Sequence, residues 1–366
     1  ETPHDDFDDT PDKDFFIMRV EVIEVTVDKP SGFYTTGEEI YINVTFQETV
    51  FVTGYPYIIL DLGGTYVNAQ YIDGSGSEIL TFGYEVLDTH NTALGEFLVY
   101  TGSFYLSEGE IKDSAGNDAD LDLPEPTDFG KEIVIDTFSP EVTIESFKGG
   151  NHNDAFATIG DTITLEFYTN EDIIEPTVTF GGRGTDVTDL GNNNWKAIYI
   201  VKDPDDLDIS GELIGYSIEF QDLAGNEGSA ITDGTGDTVI IDTKSPTVVV
   251  NHFSPDNGIQ YVKKGDLITL NFRTSEVIKV PEVSFYIDDA PIYTSVVSDW
   301  SQSTPSDEWE ITHELVYDLP GYFDINYSIS FCDLAGNETD VSNDTDDEES
   351  VFPSDMVYYD NTEPVI

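Results

Sequence analysis

The stretch DLAGNE at Asp222–Glu227 recurs letter for letter at Asp333–Glu338, and a close variant, DSAGND, stands at Asp113–Asp118. The period is about 110 residues, the length of a domain, so the chain reads as three copies of one folding unit. Working outward from that turn, two further landmarks recur in the same order. Upstream lies a glycine with an acid after it and an isoleucine three positions on: Gly37-Glu-Glu-Ile40, Gly160-Asp-Thr-Ile163 and Gly265-Asp-Leu-Ile268. Eleven residues after each glycine stands a glutamate, Glu48, Glu171 or Glu276, and the equal spacing predicts one strand of one length ending at each of them. Downstream, an apolar run ends in Asp followed by a short Pro-containing linker: IVIDTFSP at Ile133–Pro140, VIIDTKSP at Val239–Pro246 and VYYDNTEP at Val357–Pro364. Proline cannot continue a strand ladder and stiffens each crossing.

Between the landmarks, apolar residues alternate at period two. EIYINVTF (Glu39–Phe46), TITLEFY (Thr162–Tyr168), LITLNF (Leu267–Phe272) and YSISF (Tyr327–Phe331) all show it. Alternation in Val, Ile, Phe, Tyr and Thr, punctuated by Gly, Asn, Asp and Pro, predicts half-buried strands and an all-β fold. Units of this length built from many short strands are β-sandwiches. The expected boundaries are an acidic leader at 1–16, domains at 17–136, 137–242 and 243–360, and the start of a following strand at 361–366.

Composition limits the function. Acidic residues number 74 against 14 basic ones, for a formal net charge of −60. That field repels nucleic acid and anionic lipid and attracts cations. No apolar run reaches the ~18 residues of a membrane helix. The one cysteine, Cys332, excludes an intramolecular disulfide and a multi-cysteine metal site. Five scattered histidines (His4, His90, His152, His252, His313) form no zinc motif or nucleophile–base set, so no enzymatic activity is expected.

The ordered series Gly-Asp-x-Ile, Glu, Asp-x-Ala-Gly-Asn, Ile-Asp-Thr-x-x-Pro resembles the bacterial immunoglobulin-like (Big) repeats of large cell-surface adhesins. The first unit, with GFYTTGEEIYINVTFQETVFVTG (Gly32–Gly54) and GEIKDSAGNDADLDLP (Gly109–Pro124), is similar to a longer subtype found in giant surface proteins. The likeness covers about residues 17–366. It implies three tandem Ig-like antiparallel sandwiches in an extended row, an extracellular, cell-surface setting and Ca²⁺ between domains.

In such a sandwich the second strand and the turn after the sixth strand meet at the pole facing the preceding domain, where the linker delivers its Asp. One ion site is therefore expected from Asp136, Glu171, Asp222 and Asn226, and a second from Asp242, Glu276, Asp333 and Asn337. Three carboxylates and an amide supply part of the ~6–8 oxygens Ca²⁺ takes. The first unit offers Glu48, Asp113 and Asn117, with Asp9, Asp12 or Asp14 as the linker acid, and Asp360 would serve a further domain. The alternative is that each Asp and Asn only bonds its own turn. Asn337 also starts a glycosylation sequon, as do Asn43, Asn326 and Asn343.

The function expected is a stalk segment of tandem domains stiffened by interdomain Ca²⁺, with neighbouring Ig-like domains or copies of itself as partners. A filament subunit adding its end, DNTEPVI, to another chain's sheet is the alternative. A carbohydrate-binding module is a third reading, with Trp195, Trp300 and Trp309 as stacking surfaces and a glycan or cell-surface receptor as partner.

Overall fold

The computed structural model describes residues 19–125, 129–150, 153–202, 212–232, 238–287, 290–294, 305–343 and 356–362. The leader acids Asp9, Asp12 and Asp14, together with His4, His152, Trp300 and the last four residues, lie outside the described residues. Every described regular element is a β-strand. The chain divides into two compact units: one of Glu1–Glu141, Glu171–Ile174 and Phe220–Ser229, the other of Val142–Asn170, Glu175–Glu219 and Ala230–Ile366.

The first unit is built around Glu39–Thr53. Along its first half Ile40, Ile42, Val44 and Phe46 are fully buried, while Tyr41, Asn43 and Thr45 are half-exposed. This is the period-two pattern the sequence predicts. That half pairs antiparallel with Val22–Val27 on one side and Ser77–Glu85 on the other. The alternation is then interrupted at Glu48, which is exposed, the pairing register shifts between Thr45 and Val50, and the second half pairs with Glu110–Asp113. One strand therefore serves both faces of the sandwich, and Phe46 meets Phe104 in the core with ring centroids 6.0 Å apart. Burying a side chain of this size stabilises by roughly 1.5–3 kcal/mol, so the alternating stripe holds this strand in register.

In the second unit the same plan occurs twice. Val142–Lys148, Thr162–Thr169, Asn194–Ile200 and Asp186–Gly191 form one sheet, facing Thr177–Phe180 and Tyr216–Glu219. Phe147 from the first sheet packs on Phe180 and Tyr216 of the other, at 5.5 and 4.9 Å. Further along, Val248–Pro255, Leu267–Ile278 and Ser306–Glu314 form a sheet facing Glu282–Ile287 and Tyr322–Cys332, with Phe253 against Phe285 and Tyr327. The molecule is all-β, a tandem of Ig-like sandwiches.

Two details differ from the sequence reading. The expected strand end at the glutamate is met to the residue in none of the three repeats, and in the second the strand stops at Thr169, before Glu171. Elsewhere the strand runs past Glu48 to Thr53, where it gains Glu110–Asp113 as a partner, and past Glu276 to Ile278, which pairs with Ser306 and bridges to Asp333. The antiparallel plan also has one exception, three times over. A short strand pairs parallel with the strand that ends each repeat: Gly32–Tyr34 with Ile133–Ile135, Phe156–Ala157 with Val239–Ile241, and Tyr261–Val262 with Val357–Asp360.

Candidate metal centres

Those parallel pairs deliver the linker acids. Tyr34 stands opposite Ile135, so Thr35 and Asp136 emerge side by side, and the Asp136 amide donates to the Tyr34 carbonyl at 2.9 Å. The copy is faithful at Ala157 opposite Ile241, where the Asp242 amide donates to the Ala157 carbonyl at 2.9 Å.

The Asp-x-Ala-Gly-Asn turn is built by its own aspartate. Oδ1 of Asp222 accepts from the amides of Ala224 and Asn226, both at 2.8 Å, and Oδ2 accepts from Asn226 Nδ2 at 2.7 Å. Gly225 sits at φ +90°, a left-handed angle at which a side chain would strain the backbone. Asp333 repeats the pattern with Gly336 and Asn337, and Gly336 has φ +102°. Asp113 repeats it with Ala115 and Asn117. The ordinary turn reading therefore holds at all three places, and it leaves open what else the carboxylates do.

At two places they gather. One ligand oxygen each from Asp136, Glu171 and Asp222 lie within 4.8 Å of one another, and the same holds for Asp242, Glu276 and Asp333. Asp222 and Asp333 are each 1% exposed, and the other four are half-buried. A single bridge sets each turn beside its glutamate strand, Ile173 to Asp222 and Ile278 to Asp333.

The electrostatics record the crowding. Burial raises the Glu171 carboxyl from 4.5 to about 7, reinforced by the charges of Asp136, Asp222 and Asp172. Asp136 is raised by burial and by Asp222, against the pull of the Phe138 amide. In the second group burial raises Glu276, with Asp242 and Asp333 adding to it. Asp242 is raised by burial and by Asp333, while the amide and the charge of Lys244 pull it down. A divalent cation would replace this repulsion with attraction, and carboxylate oxygens are the donors a hard cation takes. The residues present fit Ca²⁺.

The amides do something else. Asn226 Nδ2 donates both to Asp222 Oδ2 and to the Asp136 carbonyl, the latter at 3.0 Å, and its Oδ1 accepts from the Thr35 hydroxyl. Asn337 is held in the same way by Asp333, the Asp242 carbonyl at 2.9 Å and the Thr158 hydroxyl. Their oxygens, expected as ligands, are turned to threonine. The two donated bonds also occupy the Asn337 nitrogen that a glycan would need.

Among the described residues Glu48, Asp113 and Asn117 join no gathered group, and the leader acids expected beside them lie outside those residues. Glu48 is exposed at the strand crossing, and Asp113 is held low by Asn117 and by backbone amides. Asp360 accepts from the Thr362 hydroxyl and from its amide, the latter at 2.9 Å, and these bonds hold it likewise low. Trp195 and Trp309 are 7% and 2% exposed, so both are core residues without a face for sugar. Cys332 is half-buried at the end of its strand, and burial raises its thiol. Among the described residues no helix is long and apolar enough to cross a membrane.

No family model matches the chain, and no curated protein matches it. Among solved structures it is similar to the fibronectin(III)-like modules of Clostridium thermocellum CbhA, at 14% identity over 55% of this chain and 92% of that one, with a TM-score of 0.27. An ICAM-5 D1–D4 ectodomain fragment aligns at 9% identity over 92% and 76%, with a TM-score of 0.29. Protocadherin gammaB7 EC3–6 aligns at 12% identity over 87% and 72%, with a TM-score of 0.28. Scores this low carry no argument, and the fold rests on the strand pairing described above.

Proposed function

We propose that the chain is a structural, adhesive segment of an extracellular surface stalk, with no catalytic role, in which Ca²⁺ joins each repeat to the next. The single observation behind this is the convergence of three separate segments, a strand-end Asp, a Glu eleven residues after Gly and the first Asp of the turn, into two like groups of three carboxylates. Its repeats would span 17–136, 137–242 and 243–360. Asp136, Glu171 and Asp222 would hold one ion and Asp242, Glu276 and Asp333 the other, with backbone carbonyls and water completing each shell. The ion supplies positive charge that ties a linker to two segments of the following repeat. The chain's own residues place the oxygens, and the buried Asp222 and Asp333 fix them through their turns.

Ca²⁺ that binds the folded and not the unfolded chain stabilises by RT ln(1 + [L]/Kd), about 2.7 kcal/mol at a hundredfold excess. Extracellular modules bind at about 10⁻⁴–10⁻³ M, so millimolar Ca²⁺ gives less than that. The test is limited proteolysis of the linkers Thr137–Pro140 and Thr243–Pro246 with Ca²⁺ and with chelator. Cleavage at both linkers should accelerate on chelation, and equal rates in both conditions would remove the proposal.

A further inference from the structure

The Thr–Asn contacts occur twice with the same partners, and the parallel strand register explains why. Where a short strand runs beside the strand that ends a repeat, the next two residues form a side-by-side pair: Thr35 with Asp136, and Thr158 with Asp242. The turn asparagine of the following repeat addresses both members at once. Asn226 donates to the Asp136 carbonyl and accepts from the Thr35 hydroxyl, and Asn337 does the same with Asp242 and Thr158. The orientation is determined, because a flipped amide would set its oxygen against a carbonyl and a carboxylate. The third repeat carries a different pair, since Val262 stands opposite Tyr359 and the next two residues are Lys263 and Asp360.

We infer that Asn226 and Asn337 are positioning residues that read a Thr/Asp pair at the end of the preceding repeat, forming a clasp that works without a cation. The hydroxyl two positions before the repeat glycine is its specificity element. Lys263 gives the third repeat's end a different recognition chemistry, an ammonium where the other two present a hydroxyl. This deepens the stalk reading and rests on it for the purpose of the clasp, while the clasp itself is observable in ion-free protein.

The experiment is side-chain amide hydrogen exchange by NMR on the full chain, ¹⁵N-labelled at asparagine, in chelator. The Asn226 and Asn337 Nδ2 protons should exchange about tenfold or more slower than those of the exposed Asn68. Thr35→Val should release Asn226 alone, Thr158→Lys should release Asn337 alone, and Thr35→Ser should restore the protection. Fast exchange of Asn226 and Asn337 in the unaltered ion-free chain would overturn the clasp, as would protection indifferent to Thr35→Val. If Ca²⁺ binding fails while this protection stands, the metal reading falls and the clasp survives. If protection appears only with Ca²⁺ and Thr35→Val leaves it intact, the asparagines are ligands and the clasp is wrong.

Discussion

The turn at Asp113–Asp118 and the turn at Asp222–Glu227 are the same turn by hydrogen bonding, yet among the described residues only the second belongs to a group of carboxylates. In both, Oδ1 accepts two backbone amides and Oδ2 accepts the asparagine amide at the turn's end. At Asp113 those bonds hold the carboxyl low. At the second turn, Asp136 and Glu171 stand beside Asp222, and both are raised. Glu48, the counterpart of Glu171, is exposed where its strand crosses between sheets. The motif thus makes a turn at each occurrence, and among the described residues carboxylates gather where a strand-end Asp and a glutamate converge on it. The group at Asp242, Glu276 and Asp333 is the second instance of that rule.

The largest effect should separate the two turns directly. Asp222→Ala removes a 1% exposed carboxylate that organises its turn, and should cost about 2–4 kcal/mol in denaturant unfolding along with one Ca²⁺ site. Asp113→Ala should cost about 1 kcal/mol and leave Ca²⁺ binding unchanged. Equal losses from the two variants would break the comparison.

Next in size is the pH dependence of the ion-free protein. The Glu171 carboxyl lies at about 7 in the fold against 4.5 as its ordinary value. Between those values the folded chain holds more protons than the unfolded one, so stability falls as pH rises from about 4.5 to about 7. Ca²⁺ binds the deprotonated group, so its affinity should rise over the same interval. Denaturant midpoints in chelator at pH 5 and pH 7.5 measure the slope, and Glu171→Gln should flatten it. Glu48→Gln should not. A slope unaffected by Glu171→Gln would assign the titration elsewhere.

The smallest effect distinguishes the two groups from each other. Lys244 lies beside Asp242, while Phe138 holds the corresponding place after Asp136. Phe138→Lys should weaken Ca²⁺ at the first group by severalfold, and Lys244→Phe should strengthen the second by a similar factor, as expected for one partly exposed charge near a cation. Titration of the two variants at low and high salt checks this, since added salt should shrink both changes.

Much of this was legible in the sequence. Alternation in Glu39–Phe46 and Leu267–Phe272 gave the strands their faces, and the recurring Gly-to-Glu spacing gave the acids their place in the repeat. The strand crossing at Gln47–Thr49 was not legible, because a strand that changes partner keeps its extended backbone, and the buried positions stay even-numbered from Ile40 to Val50 with only Glu48 breaking the pattern. Nor were the parallel partners Gly32–Tyr34 and Phe156–Ala157, which are too short to carry any periodicity. The hydrogen-bond partners of the asparagines were not legible for a chemical reason. An amide is both donor and acceptor, and only placement reveals that Asn226 turns its oxygen to Thr35, 191 residues away in the chain. The signal that could have found it is the threonine two positions before the glycine in two of three repeats.

The central claim is that two ions bind at two named groups. Isothermal titration of the whole chain with Ca²⁺ at about 0.15 M salt, where diffuse binding to a chain of net charge −60 is screened, tests it most directly. Two sites with Kd in the range of about 10⁻⁴–10⁻³ M are expected. One should be lost in Glu171→Gln, the other in Glu276→Gln, and neither in Glu48→Gln. An isotherm without saturable binding, or one unchanged by Glu171→Gln and Glu276→Gln together, would contradict the account.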